Sequence, residues 1–332
     1  MTKAMVTGAT GFLGRHVCER LNRMGWQVTG LGRSAEAGAI LEAEGIRFLA
    51  ADLRDETAVA NACAGQDVVF HCGALSTPWG AYRDFKAVNV DGTQHVADGC
   101  LKHGVARLIH ISTPSIYFES HRDRLGVREQ DPLPPKPVNA YAATKLLAEQ
   151  VALSAYASGL PTVILRPRAI FGPLDTALLP RLMRVNESRG IPLIGGGAAR
   201  IDLTYVDNVV DAMLLGWEAP QEALGQAYNI TNGEPVLLRE VLRELFALMG
   251  TELRTFSLSY PVAYSAGGLL EGAHRLLPFL GEPMLTRYTV GVLAKSQTLD
   301  ITRAREQLGY VPRVSVREGL RIFAEWWRSM ER

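Results

Sequence analysis

Apolar residues in this chain fall into short unbroken runs, separated by longer stretches in which they recur every three or four positions. Unbroken runs suit strands buried on both faces, and the three-to-four repeat suits helices that cover such a sheet with one face. The pattern predicts helices over 12–24, 35–44, 81–103 and 141–158, interleaved with strands over 26–31, 46–50, 68–71, 107–113 and 162–166. Further on it predicts a strand over 201–207 running into a helix to Ala219, a strand over 227–230 and a helix over 237–249. Such alternation is the signature of an α/β fold built on a doubly wound parallel sheet. Two stretches break the rhythm. Residues 119–139, with Pro132, Pro134, Pro135 and Pro137, read as a long loop, and loops of that length usually serve function. Residues 260–281 are apolar, but glycines at 267, 268 and 272 weaken a helix there.

Composition excludes several classes of partner. The 35 basic and 34 acidic residues leave a net charge of +1, so no global field recruits nucleic acid. Cys18, Cys63, Cys72 and Cys100 stand in no metal-binding spacing. Buried free thiols in a reducing cytosol are expected, with no metal site and no disulfide. No uninterrupted apolar run reaches the roughly 18 residues that suggest a membrane span, and no signal peptide precedes the first strand. A cytoplasmic protein is expected. The 260–281 stretch, broken by Glu271, His274, Arg275 and Pro278, suits a membrane-surface contact, a lid over a substrate, or ordinary packing.

The candidate chemistry begins at residues 4–14, AMVTGATGFLG. Gly8 permits a tight turn, Gly11 allows backbone to approach a pyrophosphate, and Gly14 lets the helix pack closely. The helix N-terminus then offers unpaired N–H groups to the phosphates. At the end of the second strand stand Gly32 and Arg33, where an acid would select NAD through the ribose hydroxyls. A small residue followed by arginine instead makes room and charge for a 2′-phosphate, which points to NADP(H); a solvated loop arginine is the plainer reading. Asp52 can accept from an adenine amino group or cap the helix near Asp55. His71 reads as structural, and Asn89 as a main-chain partner. Tyr141 and Lys145 share a helix face at i and i+4, so the ammonium is expected to lower the phenol pKa toward working pH, as a general acid/base requires. Tyr82 and Lys86 repeat the spacing, but only Tyr141 follows the fifth strand, whose end brings the Thr113 hydroxyl toward it.

Taken together, TGATGFLG at 7–14, Asp52-Leu53, NVDGT at 89–93, Ser112-Thr113, YAATK at 141–145, LRPRAIFGP at 165–173 and TYVDN at 204–208 resemble the extended short-chain dehydrogenase/reductase family. The resemblance covers nearly the whole chain. It implies a Rossmann-type sheet formed by 1–172 and 201–232, with a smaller, mostly helical substrate domain from 173–200 and 233–332. It implies a catalytic group of Thr113, Tyr141 and Lys145, with Ser112 and Ser115 as rivals to Thr113. Gly8, Thr10, Gly11, Phe12, Leu13, Arg33, Asp52, Leu53, Ala74 and Pro167, with Tyr141 and Lys145, would hold the dinucleotide, NADP(H) in preference to NAD(H). HCGA at 71–74 departs from the family at Gly73, where alanine is commoner.

The tail at 281–290 and 308–320 resembles the 3β-hydroxysteroid dehydrogenase branch. TPWGAY at 77–82, with STPS and LRPR, resembles bacterial β-keto acid reductases acting on long 2-alkyl-3-oxoalkanoates. The implied activity interconverts a secondary alcohol and a ketone on a hydrophobic substrate, 3β-hydroxysteroid-like or a long-chain β-keto acid. Leu75, Trp79, Tyr82, Leu178, Leu179 and Leu269 would give its pocket an apolar lean, and Ser115 is a further candidate for substrate contact. Arg168 and Arg181 suit a carboxylate or a diphosphate. A nucleotide-sugar epimerase or dehydratase is the alternative, although Pro114 and Ser115 stand where dehydratases carry acids. A non-catalytic NADP sensor is a third reading, disfavoured by the Tyr/Lys pair. Homodimerisation through helices 81–103 and 141–158 is a further family expectation.

Overall fold

The computed structural model describes residues 1–330. The buried runs become strands β1 (Lys3–Thr7), β2 (Gln27–Gly32), β3 (Arg47–Ala50), β4 (Val68–His71), β5 (Arg107–Ile111), β6 (Thr162–Pro167) and β7 (Gln226–Ile230). They form one sheet in the order β7-β6-β5-β4-β1-β2-β3, parallel at every pairing. Successive residues of a strand point to opposite faces, and both faces here are apolar. Val6, Phe70, Ile109 and Val163 pack on the side of helix α1 (Phe12–Arg23). Met5, Val69 and Leu108 pack on the other side, against Val96 and Cys100 of helix α2 (Gly92–His103). This is a Rossmann-type fold.

Strand order reverses between β1 and β4, so the connections leaving their carboxyl ends diverge and open a crevice. The two turns touch there: Gly8 has φ +67°, and a Cβ on it would lie 2.8 Å from Cα of Gly73. Gly73 in turn would press a Cβ to 2.8 Å from Leu53. The departure at Gly73 therefore preserves close packing in this chain.

Several elements differ from expectation. The predicted helix over 81–103 is a turn of α-helix (Tyr82–Phe85), a π-helical segment (Lys86–Asp91) and then α2. The wider winding buries Asn89, whose amide accepts from the Leu75 N–H at 2.7 Å and donates to the Leu75 carbonyl at 3.1 Å, a main-chain role as the sequence suggests. The proline-rich loop contains a strand, Arg124–Val127, paired in parallel with Gln297–Leu299 in a second, four-stranded sheet. Its partner lies some 170 positions away, beyond the reach of local pattern. The stretch over 201–207 divides into Arg200–Ile201 and Thr204–Tyr205, each pairing with a different neighbour.

Residues 260–276 do form a helix, α4 (Tyr260–Leu276), glycines included. A Cβ on Gly267 would sit 3.0 Å from the Thr286 main chain, so that glycine lets α4 lie against the start of helix α5 (Arg287–Ala294). Among the described residues no helix is long and apolar enough to cross a membrane.

Candidate active site

Helix α1 begins without a side-chain cap at Gly11 and has no acid in its first turn, so its leading N–H groups keep their capacity for an anion. A Cβ on Gly14 would come within 2.2 Å of the Gly8 carbonyl oxygen, which holds this position to glycine. Beside the helix terminus lies a cleft of about 430 Å³. Gly8, Thr10, Gly11, Phe12 and Leu13 form its middle; Gly32, Arg33, Asp52 and Leu53 also line it, as do Ala74, Ser112, Tyr141 and Lys145. Pro167 does not line it; it closes β6 opposite Ile230, and Ile170 reaches the cleft instead. An N–H-rich centre flanked by an arginine and by a Tyr/Lys pair fits an extended dinucleotide. Asp52 is no helix cap. The Arg54 side chain donates to it at 3.0 and 2.8 Å and holds its carboxyl below the usual range, while Asp55 accepts from the Ala58 N–H.

Asn139 caps helix α3 (Ala140–Ala157), accepting the Ala142 N–H at 2.8 Å, and so fixes Tyr141 in the first turn. Thr113 follows β5, and its hydroxyl stands close enough to the Tyr141 phenol to favour the ionised form. Its hydroxyl also donates to Ser115 Oγ at 3.1 Å, and Ser115 Oγ lies 3.2 Å from Tyr288 Oη. Thr113, Ser115 and Tyr288 thus make one hydrogen-bonded row of hydroxyls, with the Tyr141 phenol beside its Thr113 end. Ser112 faces the cleft separately, its buried Oγ without a partner among the described residues.

The electrostatics differ from the expectation for the Tyr/Lys pair. Burial pushes the Tyr141 phenol up to about 12, with the Thr113 hydrogen bond opposing. Lys145 makes no contact that lowers it. Its ammonium donates to the Ile111 carbonyl at 2.6 Å and stands 3.4 Å from His110 Nε2. The reason is that a buried ammonium needs lone pairs, and the end of β5 supplies them. Burial brings Lys145 down to about 8.

Beneath it His71 is neutral, pushed to about 3 by burial and then by the Lys145 charge. Thr7 accepts the Gly73 N–H and so donates to His71 Nδ1 at 2.7 Å; Thr93, donating to the Asn89 carbonyl, accepts from Nε2 at 3.0 Å. His71 is a satisfied structural residue.

A second cavity, about 1030 Å³, has Ala140 and Tyr288 in its walls and therefore adjoins the hydroxyl row. Trp79 lines it, with the Arg275 guanidinium 5.7 Å from its ring centroid. Several other substrate expectations need correction. Tyr82 is 49% exposed and outside the cavity, where Phe85, one turn on, takes its place. Leu179 is fully buried in the main core and Leu178 packs against that core, while Leu269 is 77% exposed. Leu75 lines the dinucleotide cleft instead. Arg181 sits at the surface, ion-paired with Glu282 at 3.2 Å. Arg168 is buried, 7% exposed. The walls set the rings of Trp79, Phe118 and Tyr264 beside charged groups such as Lys136, Glu271 and Arg275. Tyr288 escaped sequence reasoning because no spacing ties α5 to Thr113.

The NAD dependent epimerase/dehydratase family matches residues 4–231. A protein of Stenotrophomonas maltophilia named 2-alkyl-3-oxoalkanoate reductase is 40% identical, over 96% of this chain and 97% of its own. The Arabidopsis thaliana 3beta-hydroxysteroid-dehydrogenase/decarboxylase isoform 1 is 36% identical over 96% of this chain and 77% of its own. Among solved structures, MoeE5 in complex with UDP-glucose and NAD superposes with a TM-score of 0.79 at 27% identity, covering 99% of this chain and all of that one. The chain belongs to the NAD dependent epimerase/dehydratase family, within the extended short-chain dehydrogenases/reductases, and is an NAD-dependent oxidoreductase.

Proposed function

We propose that this chain reversibly interconverts a ketone and a secondary alcohol on a hydrophobic substrate, using NADP(H) in preference to NAD(H). The observation that carries the reading is the hydroxyl row, which starts beside Tyr141 in the wall of the dinucleotide cleft and ends on Tyr288 in the wall of the larger cavity. When bound, the nicotinamide supplies or accepts the hydride. In the reducing direction Tyr141, held protonated by its burial, donates its proton to the carbonyl oxygen. Thr113 would turn its one hydroxyl proton from Ser115 Oγ to the same oxygen as charge develops on it. Lys145, with a pKa near 8 and lining the same cleft, would hold the cofactor ribose. Gly32 and Arg33 at the opposite part of the cleft, with no acid at the β2 end, support NADP(H).

The hydrophobic substrate class is supported by the names of the relatives and by the surface around the larger cavity. Val262, Leu269, Leu276, Phe279 and Met284 are each more than half exposed, and α4 also supplies Glu271, His274 and Arg275 to the cavity wall. Apolar exposure on this scale, with Arg184 on the helix Leu179–Ser188 and Arg189 just after it, suits an anionic lipid surface from which the substrate enters.

The test is oxidation of NADPH at 340 nm against 3-ketosteroids, 2-alkyl-3-oxo acids and UDP-sugars. Turnover of the lipids supports the proposal. Turnover of the sugars alone replaces it with the epimerase reading, and turnover of none with the sensor.

A further inference from the structure

Strands β4 and β5 carry two histidines in register, His71 opposite His110, with their rings 5.2 Å apart. Both are buried, and burial holds both neutral. Their partners differ. Thr7 and Thr93 meet the two ring nitrogens of His71. Among the described residues the His110 ring has one hydrogen-bond partner, the Lys145 ammonium, 3.4 Å from its Nε2. An ammonium has only protons to offer, so Nε2 must present its lone pair and Nδ1 must carry the hydrogen. That Nδ1 is buried with no partner among the described residues. An unmet buried N–H is a penalty that a phenylalanine of similar size would not carry, so packing alone does not account for a histidine here. What His110 contributes is one lone pair, and Lys145 takes it.

We propose that His110 is a positioning residue for Lys145: its Nε2 and the Ile111 carbonyl, successive acceptors on β5, hold the ammonium so that its third N–H serves the dinucleotide cleft. The inference rests on the reading of Lys145 given above, as the group that holds the cofactor ribose, and adds what aims it. Ile111 accepts at 2.6 Å and His110 at 3.4 Å, from two points of one strand, whereas a flexible four-carbon stem with a single anchor can still turn about it. Two of the three ammonium protons are used in this way, and Lys145 lines the cleft with one to spare. The same lone pair favours the charged form, because the bond is lost when the proton leaves. The other ionisable groups around Lys145 do not share the task. Glu149, one turn on along α3, is committed to Arg166 at 2.7 and 2.5 Å. Cys72, just after β4, stays a thiol, pushed up to about 12 by burial, and Tyr141, one turn before Lys145, stays a phenol for the same reason. His71 is neutral and met by its two threonines. Between pH 7 and 9 the group of this cluster that titrates is Lys145.

The experiment follows kcat for reduction of 2-butyl-3-oxooctanoate by the holoenzyme with NADPH, from pH 6.5 to 10, in the wild type and three variants. Lys145 must keep its proton to hold the ribose, so turnover falls as pH rises through its pKa. His110→Phe removes the acceptor, and His110→Asn has a shorter amide that stops at the Nδ1 position. Each should lower the alkaline limb by about one pH unit, the lower end of what a hydrogen bond to a charged group contributes. At pH 8 that shift is about a fourfold loss beyond any loss at pH 6.5. His110→Gln, whose amide oxygen can take the Nε2 place, should keep the wild-type limb. A role in packing alone would lower kcat by the same factor at every pH. One limb common to the wild type, Phe and Asn proteins overturns the proposal, and so does a Gln limb displaced as far as that of Asn. The Asn and Gln pair decides the matter if the Phe variant fails to fold. If the wild type does not reduce the ketone, the reading of the reaction fails, and NADPH affinity, titrated by its fluorescence across the same pH range, decides His110 separately. An affinity that declines about one pH unit earlier in Phe and Asn than in the wild type and Gln upholds the proposal; coincident curves, or Gln grouped with Asn, overturn it.

Discussion

Replacing Lys145 with methionine should abolish most turnover and yet make the protein more stable at neutral pH. The ammonium is 2% exposed, and burial lowers its pKa from 10.5 to about 8. At roughly 1.4 kcal/mol per unit of pKa, keeping that proton in the fold costs about 3 kcal/mol. Methionine removes this cost and fills the same volume, but it forfeits the hydrogen bond to the Ile111 carbonyl, worth about 1 kcal/mol net. A gain of about 2 kcal/mol at pH 7 is expected. Between pH 8 and 10.5 the unfolded chain binds this proton and the folded chain releases it, so wild-type stability rises with pH through that window. The advantage of the variant should be constant below pH 8 and fade across the same range. Urea unfolding followed by circular dichroism, run on both proteins at pH 7, 8, 9 and 10, reads the difference directly, because other titrating groups are common to both. A variant less stable than wild type at pH 7, or an advantage that does not change with pH, would refute the reasoning.

Tyr141→Phe should bind NADPH normally and lose about 100- to 10,000-fold in kcat, the usual contribution of a positioned general acid; a near-wild-type rate in the 340 nm assay would reject the assignment. Arg33→Ala should raise KM for NADPH far more than for NADH, and equal effects on the two would remove the 2′-phosphate argument. Glu149→Leu should cost about 3–5 kcal/mol in urea unfolding, because it strands the buried Arg166 charge; a loss under about 1 kcal/mol would show that Tyr117 and solvent suffice.

The dinucleotide end of the molecule was legible because its chemistry is local. Gly8, Gly11 and Gly14 lie within seven residues, and each is needed for a turn, a bare helix terminus or a packing distance that seven residues define. The strand runs were legible for a similar reason, since burial on both faces removes polar residues from consecutive positions. What the chain concealed is long-range. The pairing of Arg124–Val127 with Gln297–Leu299, and of Ser115 with Tyr288, joins segments more than 170 residues apart, and neither partner carries a local mark of the other. Lys145 shows a subtler limit. Its spacing from Tyr141 correctly suggests a shared helix face, but the direction of a flexible four-carbon stem follows the nearest lone pairs, and those belong to Ile111 at the end of another strand. Spacing therefore predicts which groups can meet, whereas the partner a buried charge finds depends on everything packed around it. That distinction explains why the glycine turn and the shared helix face of Tyr141 and Lys145 follow from motifs, while the Ser115–Tyr288 contact and the Lys145–Ile111 bond do not.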